Sequence, residues 1–398
     1  MAAYTTIDDP SAYFQSLRYT GNGASGGGTG GTRDLTFTGN SNMKPDMAIH
    51  IAEDHNQQKM ITDSSRSWAS GNHELSWSLT NVEGDTNAIN TGAYGWLGDG
   101  LTNGIQANAG SGGDGYANRN NEPFYLAAWK ANGGTTTSIS ESGSGNGCVN
   151  ACTHQADTTS GLSIITYTGR DDELSNNQHS KLTHGLGVAP TFTMIKRRDA
   201  ADNWFVSGKH ITSSSAYSSN EFLSLNLTAA INGNFYTGIT APDSTHIFLG
   251  NDLVNIADAS YVCYAWAEKQ GFSKYGKYIG NGNSDGPGPF VYTGFRPQTI
   301  IIKRINSAQS WIWHDSKWGT KNASGSTKGN IGNLQSAAMI MESSTNVLDD
   351  YGDIDILSNG FKLRSEAAAT NAGDSTYIFM AWAEHPFVTS TGIPTTAR

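Results

Sequence analysis

The chain has 398 residues, 37% of them hydrophobic and 15% charged, with 47 Gly and 10 Trp. That length suits two to four domains at roughly 100–200 residues each, and the aromatic content argues against disorder. With a formal net charge of −10 no basic stripe of the kind nucleic-acid binders present is visible, and no apolar run approaches the ~18 residues needed to cross a bilayer.

The first 15 residues, MAAYTTIDDPSAYFQ, lack a basic region followed by an apolar one. No secretory signal is expected, and synthesis in the cytosol without standard export follows. This segment, residues 1–15, precedes the first repeat and carries Tyr4, Ile7, Tyr13 and Phe14, apolar groups suited to anchoring the chain on a partner.

From Tyr19 onward a three-part pattern occurs three times. A Tyr-led strand and Gly turn comes first: Tyr19-Thr-Gly-Asn-Gly23, Tyr167-Thr-Gly169 and Tyr278-Ile-Gly-Asn-Gly282. A Pro then opens an apolar strand, at Pro45 to Ile51, Pro190 to Lys196 and Pro297 to Lys303. An aromatic closing strand ends each copy, at Tyr125 to Trp129, Tyr261 to Glu268 and Tyr377 to Glu384. The step from the Pro to the closing Trp is 84, 76 and 85 residues. Trp204 and Trp311 each fall 14 residues after their Pro, and Asp315-Ser-Lys317 echoes Asp63-Ser-Ser-Arg66.

A period of about 110–130 residues is too long for a solenoid or propeller blade, so each copy is expected to be a domain. In the last closing strand Tyr377, Phe379 and Ala381 take one face, and Ile378, Met380 and Trp382 take the other. Both faces are apolar, which places the strand centrally between two layers. Short strands, frequent turn signals and no amphipathic helix predict an all-β chain of three tandem related β-sandwich domains, jelly-roll or lectin-like. The expected boundaries are 16–130, 161–272 and 273–390, with a Gly/Ser/Thr-rich linker at 131–160 and a C-terminal tail at 391–398. Cys148 and Cys152 lie in that linker, close enough in sequence to bridge, whereas Cys263 reads as a buried thiol. Lys196-Arg197-Arg198 and Lys303-Arg304 end apolar strands and read as solvated strand-terminal charges.

Motifs that would carry chemistry are sparse. Gly23-Ala-Ser-Gly-Gly27 has the letters of a nucleophile elbow without the flanking strand and helix, and reads as a loop. Asn281, Asn283 and Asp285 resemble the front of a Ca²⁺ loop, but its twelfth position is Tyr292 rather than a bidentate Glu. The acidic run from Asp349 to Asp355 reads as a solvated turn leading into a strand. The ten His show no zinc spacing, and His179 and His184 share no helical face. No catalytic residue, metal or cofactor is therefore assigned. Trp311, Trp313 and Trp318 are the best candidates for a ligand or partner contact, because same-face aromatics stack on sugar rings. The competing reading places them in the core.

The phrases AYTTIDDPSAYFQ, YTGNG, HGLGVAP, GPFVYTGFRPQTIIIKR, LSNGFKLR and YIFMAWAEHPF resemble the repeat domains of virion structural and appendage proteins from marine and cyanobacterial tailed phages. The resemblance covers nearly the whole chain and is clearest from Leu162 to Phe387. It implies a lectin-like sandwich located in the virion, made in the host cytoplasm, and brings no catalytic residues with it. The expected function is that of a non-enzymatic bacteriophage structural protein, a capsid decoration or a fibre component. Its expected partners are other virion proteins and further copies of itself, with no nucleic acid and no membrane insertion. The alternative is a receptor-binding adhesin for a host surface glycan. A polysaccharide depolymerase is a third reading, with no motif behind it.

Overall fold

Short β-branched and aromatic runs, punctuated by Gly, Asn and Asp, form 25 strands among the described residues of the computed structural model. It describes residues 4–24, 32–68, 73–85, 94–111, 116–170, 179–213, 221–233, 241–250, 253–283, 288–319, 334–343 and 348–395. The first third holds β1 (Phe14–Thr20), β2 (Arg33–Thr36), β3 (Met47–Ala52), β4 (Met60–Asp63), β5 (Leu75–Ser76), β6 (Trp96–Leu101), β7 (Gly104–Asn108) and β8 (Pro123–Trp129). The second holds β9 (Thr137–Ile139), β10 (Cys152–Asp157), β11 (Leu162–Thr168), β12 (Ser180–Thr183), β13 (Phe192–Arg197), β14 (Trp204–Gly208), β15 (Leu223–Ser224), β16 (His246–Leu249) and β17 (Ser260–Trp266). The last holds β18 (Ser273–Ile279), β19 (Phe290–Tyr292), β20 (Phe295–Arg304), β21 (Trp311–Asp315), β22 (Leu334–Ile340), β23 (Asp349–Leu357), β24 (Gly360–Leu363) and β25 (Thr376–Pro386). The one named helical element among the described residues is a 3₁₀ turn at Pro10–Ala12. The chain is all-β.

One antiparallel strand order occurs three times: Tyr strand, closing strand, Pro strand, then the two that follow. It reads β1-β8-β3-β4-β5, then β11-β17-β13-β14-β15, then β18-β25-β20-β21-β22. The second copy extends past β11 through β10 to β9, and the third continues past β22 through β23 and β24 to β19. Smaller sheets, β2-β7-β6 and β12-β16, cover the outer faces of the first two copies. In the third, the continued sheet curls over its own outer face, where Ile354, Ile356, Phe361 and Leu363 meet Ile300, Ile302, Tyr377 and Phe379.

The Tyr-x-Gly signal is explained by one device used in all three copies. Tyr19, Tyr167 and Tyr278 pair across the ladder with Phe124, Tyr261 and Tyr377 and stack on them at 5.4, 4.9 and 5.1 Å. Their buried hydroxyls donate to the carbonyls of Ala117, Val254 and Thr370, as a buried phenol requires. Two residues on, Gly21, Gly169 and Gly280 run so close to the loop before the closing strand that a Cβ would overlap the carbonyls of Arg119, Ile256 and Ala372. That loop turns through a left-handed Asn or Asp in every copy: Asn121 (φ 63°), Asp258 (φ 57°) and Asp374 (φ 56°). These are the side chains that tolerate such a turn without Gly.

Alternation along the strands separates two kinds of core. Tyr377, Phe379, Ala381 and Ala383 face the third copy's own cluster, as Tyr261, Cys263 and Ala265 do in the second and Phe124, Leu126 and Ala128 in the first. The other face of each central sheet enters a single cluster common to all three copies. Trp77, Trp129, Trp204, Trp266, Trp311, Trp313, Trp318 and Trp382, eight of the ten tryptophans, are buried there. The closing Trp382 meets Trp129 at 5.2 Å and Trp266 at 6.3 Å, both edge to face, so the three closing strands converge on one point.

The contacts between copies are cyclic. The residue eight positions after each repeat Pro offers its carbonyl to the preceding copy. Arg198 accepts from Glu83 N–H at 3.0 Å, Ile305 from Ile231 N–H at 2.9 Å, and Glu53 from Leu348 N–H at 2.7 Å. The residue fourteen positions after the Pro reaches into the same neighbour. Trp204 Nε1 donates to Ser76 O at 2.7 Å, Trp311 Nε1 to Ser224 O at 3.1 Å, and Lys59 Nζ to Ser343 O. Second contacts first, third contacts second and first contacts third. Head-to-tail contacts whose rotation closes after three units make a ring, here within one chain.

Several sequence expectations change in this arrangement. Within the expected linker 131–160, Thr137–Ile139 and Cys152–Asp157 form β9 and β10, which extend the second sheet. Lys196 and Lys303 are fully buried, not solvated, and burial lowers both to about 8. Their ammonium groups donate to the carbonyls of Thr80 at 3.2 Å and Thr228 at 2.8 Å in the adjoining copy. Just before the expected tail, Ser390 donates its N–H and hydroxyl to Asp8 near the N-terminus, and Thr395 N–H returns to Phe387 O at 3.2 Å.

The Gly close approach generates a test. Gly169→Ala should cost about 3 kcal/mol or more in chemical denaturation, the scale of a backbone clash in a packed site. Gly233→Ala, where a Cβ meets open space, should cost less than about 0.5 kcal/mol. Equal effects would contradict the packing argument.

Candidate functional site

Asp63 and Asp315, the aspartates whose surroundings echo one another in the sequence, lie at junctions between copies. Eighteen positions after the repeat Pro stand Asp63, Gly208 and Asp315, at the ends of β4, β14 and β21. Asp63 accepts from Tyr264 OH of the second copy at 2.6 Å and from Arg66 Nε at 2.6 Å. Arg66 also holds Glu83, which in turn binds Arg198 of the second copy. This buried array is charge-balanced and satisfied, the condition under which ions tolerate burial. Asp315 accepts from Tyr125 OH of the first copy at 2.6 Å, from the Thr299 hydroxyl and from Lys317 N–H at 2.9 Å. Without an arginine beside it, burial pushes the Asp315 carboxyl up to about 6 from 3.8. At the third junction Gly208 lines a small cavity together with Ile378 and Met380, and no carboxylate is among the described residues that line it.

The expected contact residues are inside. Trp311 and Trp313 are 0% exposed and Trp318 4%. Trp318 donates Nε1–H to Glu53 at 3.0 Å, so these indoles close the ring and are inaccessible to a ligand. Ile7 and Phe14 are buried in the shared cluster, Tyr13 packs on Phe272, and Tyr4 donates to Gly294 O at 2.7 Å. The expected anchor therefore packs against the second and third copies. It is not presented outward.

Of the Ca²⁺ candidates, Asn281 Oδ1 accepts from Asn283 N–H and Asn371 Nδ2, while Asp285 lies outside the described residues, as do residues 25–27 of the Gly/Ser tract. The run Asp349 to Asp355 is part of β23, with Asp355 paired to Arg364. His184 contacts Asp243 O at 3.2 Å, whereas His179 packs edge-on against Phe248. All three cysteines are buried, and none is in a disulfide. Among the described residues one trio has metal-ligand proximity, Asp54, His55 and Glu122. It lies at the surface, with His55 2.8 Å from Asp54 and 3.7 Å from Glu122, and reads as a surface ion-pair group.

Sequence reasoning missed the most site-like surface. A groove of about 380 Å³ runs between β18 and β19, the two terminal strands of the third sheet. Tyr275, Tyr278 and Phe379 line it together with Phe290 and Tyr292, Lys274 and Lys277, and His210 of the second copy. Phe290 is 47% and Tyr292 53% exposed. Burial, and then the field of Lys209, hold the His210 imidazole below its usual range. Lys274 pairs with Glu268 at 2.6 Å. The available signal was an aromatic at alternate positions, Phe290 and Tyr292, with no apolar partner on the same face.

A family model described as Domain of unknown function (DUF7483) matches residues 9–386. The chain belongs to the DUF7483 family. The single DUF7483 match runs through all three copies, as one unit with a common core would. No curated protein and no solved structure matches the chain.

The buried carboxyl gives a pH test. A carboxyl raised in the folded state stabilises fully below its unfolded value near 3.8, and that contribution disappears as pH rises through about 6. The swing is roughly 3 kcal/mol at 1.36 kcal/mol per pKa unit. Relative to Asp315→Asn, the native chain should gain about this much stability between pH 7.5 and pH 3 in urea titrations. A difference that stays constant across that range would contradict the assignment.

Proposed function

We propose that this chain is a non-enzymatic structural protein of a bacteriophage virion, a capsid decoration or appendage component that acts as a single-chain pseudo-trimer. The cyclic set of junctions carries the reading. Particle surfaces offer threefold positions, and closed threefold assemblies are ordinarily built from separate chains. Three covalently joined copies supply the same geometry without concentration-dependent assembly.

Two further observations support it. The buried Asp63 and Asp315 are turned toward tyrosines of an adjoining copy, where they hold the ring together rather than facing a substrate. The repeat motifs also resemble those of phage virion proteins. The head-to-tail surfaces that would close a homotrimer are used within the chain, which leaves the outer faces and the two ends of the ring for other virion proteins.

Quantitative mass spectrometry of purified particles tests this, using a phage whose genome encodes the chain. The expected result is a fixed copy number per particle, with three-lobed density on a local threefold axis in reconstructions. Particles lacking the chain would overturn the proposal.

A further inference from the structure

The threefold repetition supplies an internal control for reading the groove. At two junctions a carboxylate of one copy is clasped by a tyrosine of the next, Asp63 by Tyr264 and Asp315 by Tyr125. At the third, Gly208 shares a small cavity with Ile378 and Met380, and this junction adjoins the groove. The outer edge of the Tyr strand differs in the same way. β11 is covered by β10, and the start of β1 is covered by residues 39–41, bonded to the Gln15 side chain. β18 is the terminal strand of its sheet and forms a wall of the groove.

The lining has a definite chemistry. Phe290 and Tyr292 are the two aromatics among the exposed large hydrophobic residues described, and both line this groove. Lys274 and Lys277 line it as well, and Lys209 acts with them on His210, opposed by Glu268. In a chain of net charge −10 this is a local excess of positive charge. Lysines on a terminal strand also discourage edge-to-edge pairing. That role needs no aromatic surface nearby, and exposed aromatics there would work against it.

We propose that the groove binds an acidic saccharide. The apolar face of a sugar ring lies on Phe290 and Tyr292, and its carboxylate or sulfate meets the lysines, combining an apolar platform with a few charged groups that fix orientation. The site is independent of the virion reading, because binding in solution and incorporation into particles are measured separately.

Isothermal titration of the full chain with a galacturonic acid hexamer, a chondroitin sulfate hexasaccharide and neutral maltohexaose tests the site. At least one acidic oligosaccharide should bind on the order of tenfold more tightly than maltohexaose. Lys277→Glu and the pair Phe290→Ala/Tyr292→Ala should each weaken that binding by about tenfold or more. Lys44→Glu, an exposed control in the first copy, should leave it unchanged, and thermal melts of every variant should match the native chain. No preference for an acidic sugar overturns the proposal. So does binding that survives both groove variants, or binding that inorganic sulfate displaces at equal concentration.

Discussion

Everything in this fold depends on the burial of one tryptophan-rich face from each of three sheets against the other two. A sheet with two apolar faces must be covered on both. Here the outer face is covered by elements of the same copy, and the inner face by the other copies. Trp129, Trp266 and Trp382 occupy equivalent ladder positions and meet edge to face, a geometry that adds about 0.5–1.5 kcal/mol per aromatic pair beyond burial. Each copy therefore lacks half of its core when considered alone. The ring of hydrogen bonds around the cluster follows from that dependence, because backbone carbonyls buried between copies need donors, and Trp204 and Trp311 supply two of them.

Equivalent positions have diverged in chemistry while keeping their task. The donor that reaches into the preceding copy is an indole at Trp204 and Trp311 and an ammonium at Lys59. The clasp position is an ion-paired carboxylate at Asp63, a carboxyl of raised pKa at Asp315 and a glycine at position 208. An exact threefold assembly of identical chains has no such freedom. Joining the copies covalently lets one junction lose its polar clasp while the other two maintain closure. The aromatic and basic groove adjoins that junction, so the departure from symmetry and the most site-like surface coincide.

Much of the local design was legible in the sequence. The two apolar faces of Tyr377 to Ala383 follow from strand alternation, and the structure places them as expected. The echo between Asp63 and Asp315 marked both junction carboxylates. What covers the inner face was not legible, since alternation reports that a face is buried and is silent on the partner. Trp311, Trp313 and Trp318 share the composition of a binding platform with that of a core. Lys196 and Lys303 read as surface charges because the neighbouring copy that covers them, and that supplies the Thr80 and Thr228 carbonyls, lies more than 70 positions away in sequence. β9, inside the stretch at 131–160, was not legible because it is a three-residue exposed edge strand, and edge strands share their composition with loops.

A guanidinium unfolding titration of the full chain, followed by both far-ultraviolet circular dichroism and tryptophan fluorescence, addresses the shared core most directly. With one cluster holding all three sheets, both signals should change together in a single steep transition. Separate steps, or fluorescence that changes while part of the strand signal persists, would show that the sheets stand alone, contrary to this account.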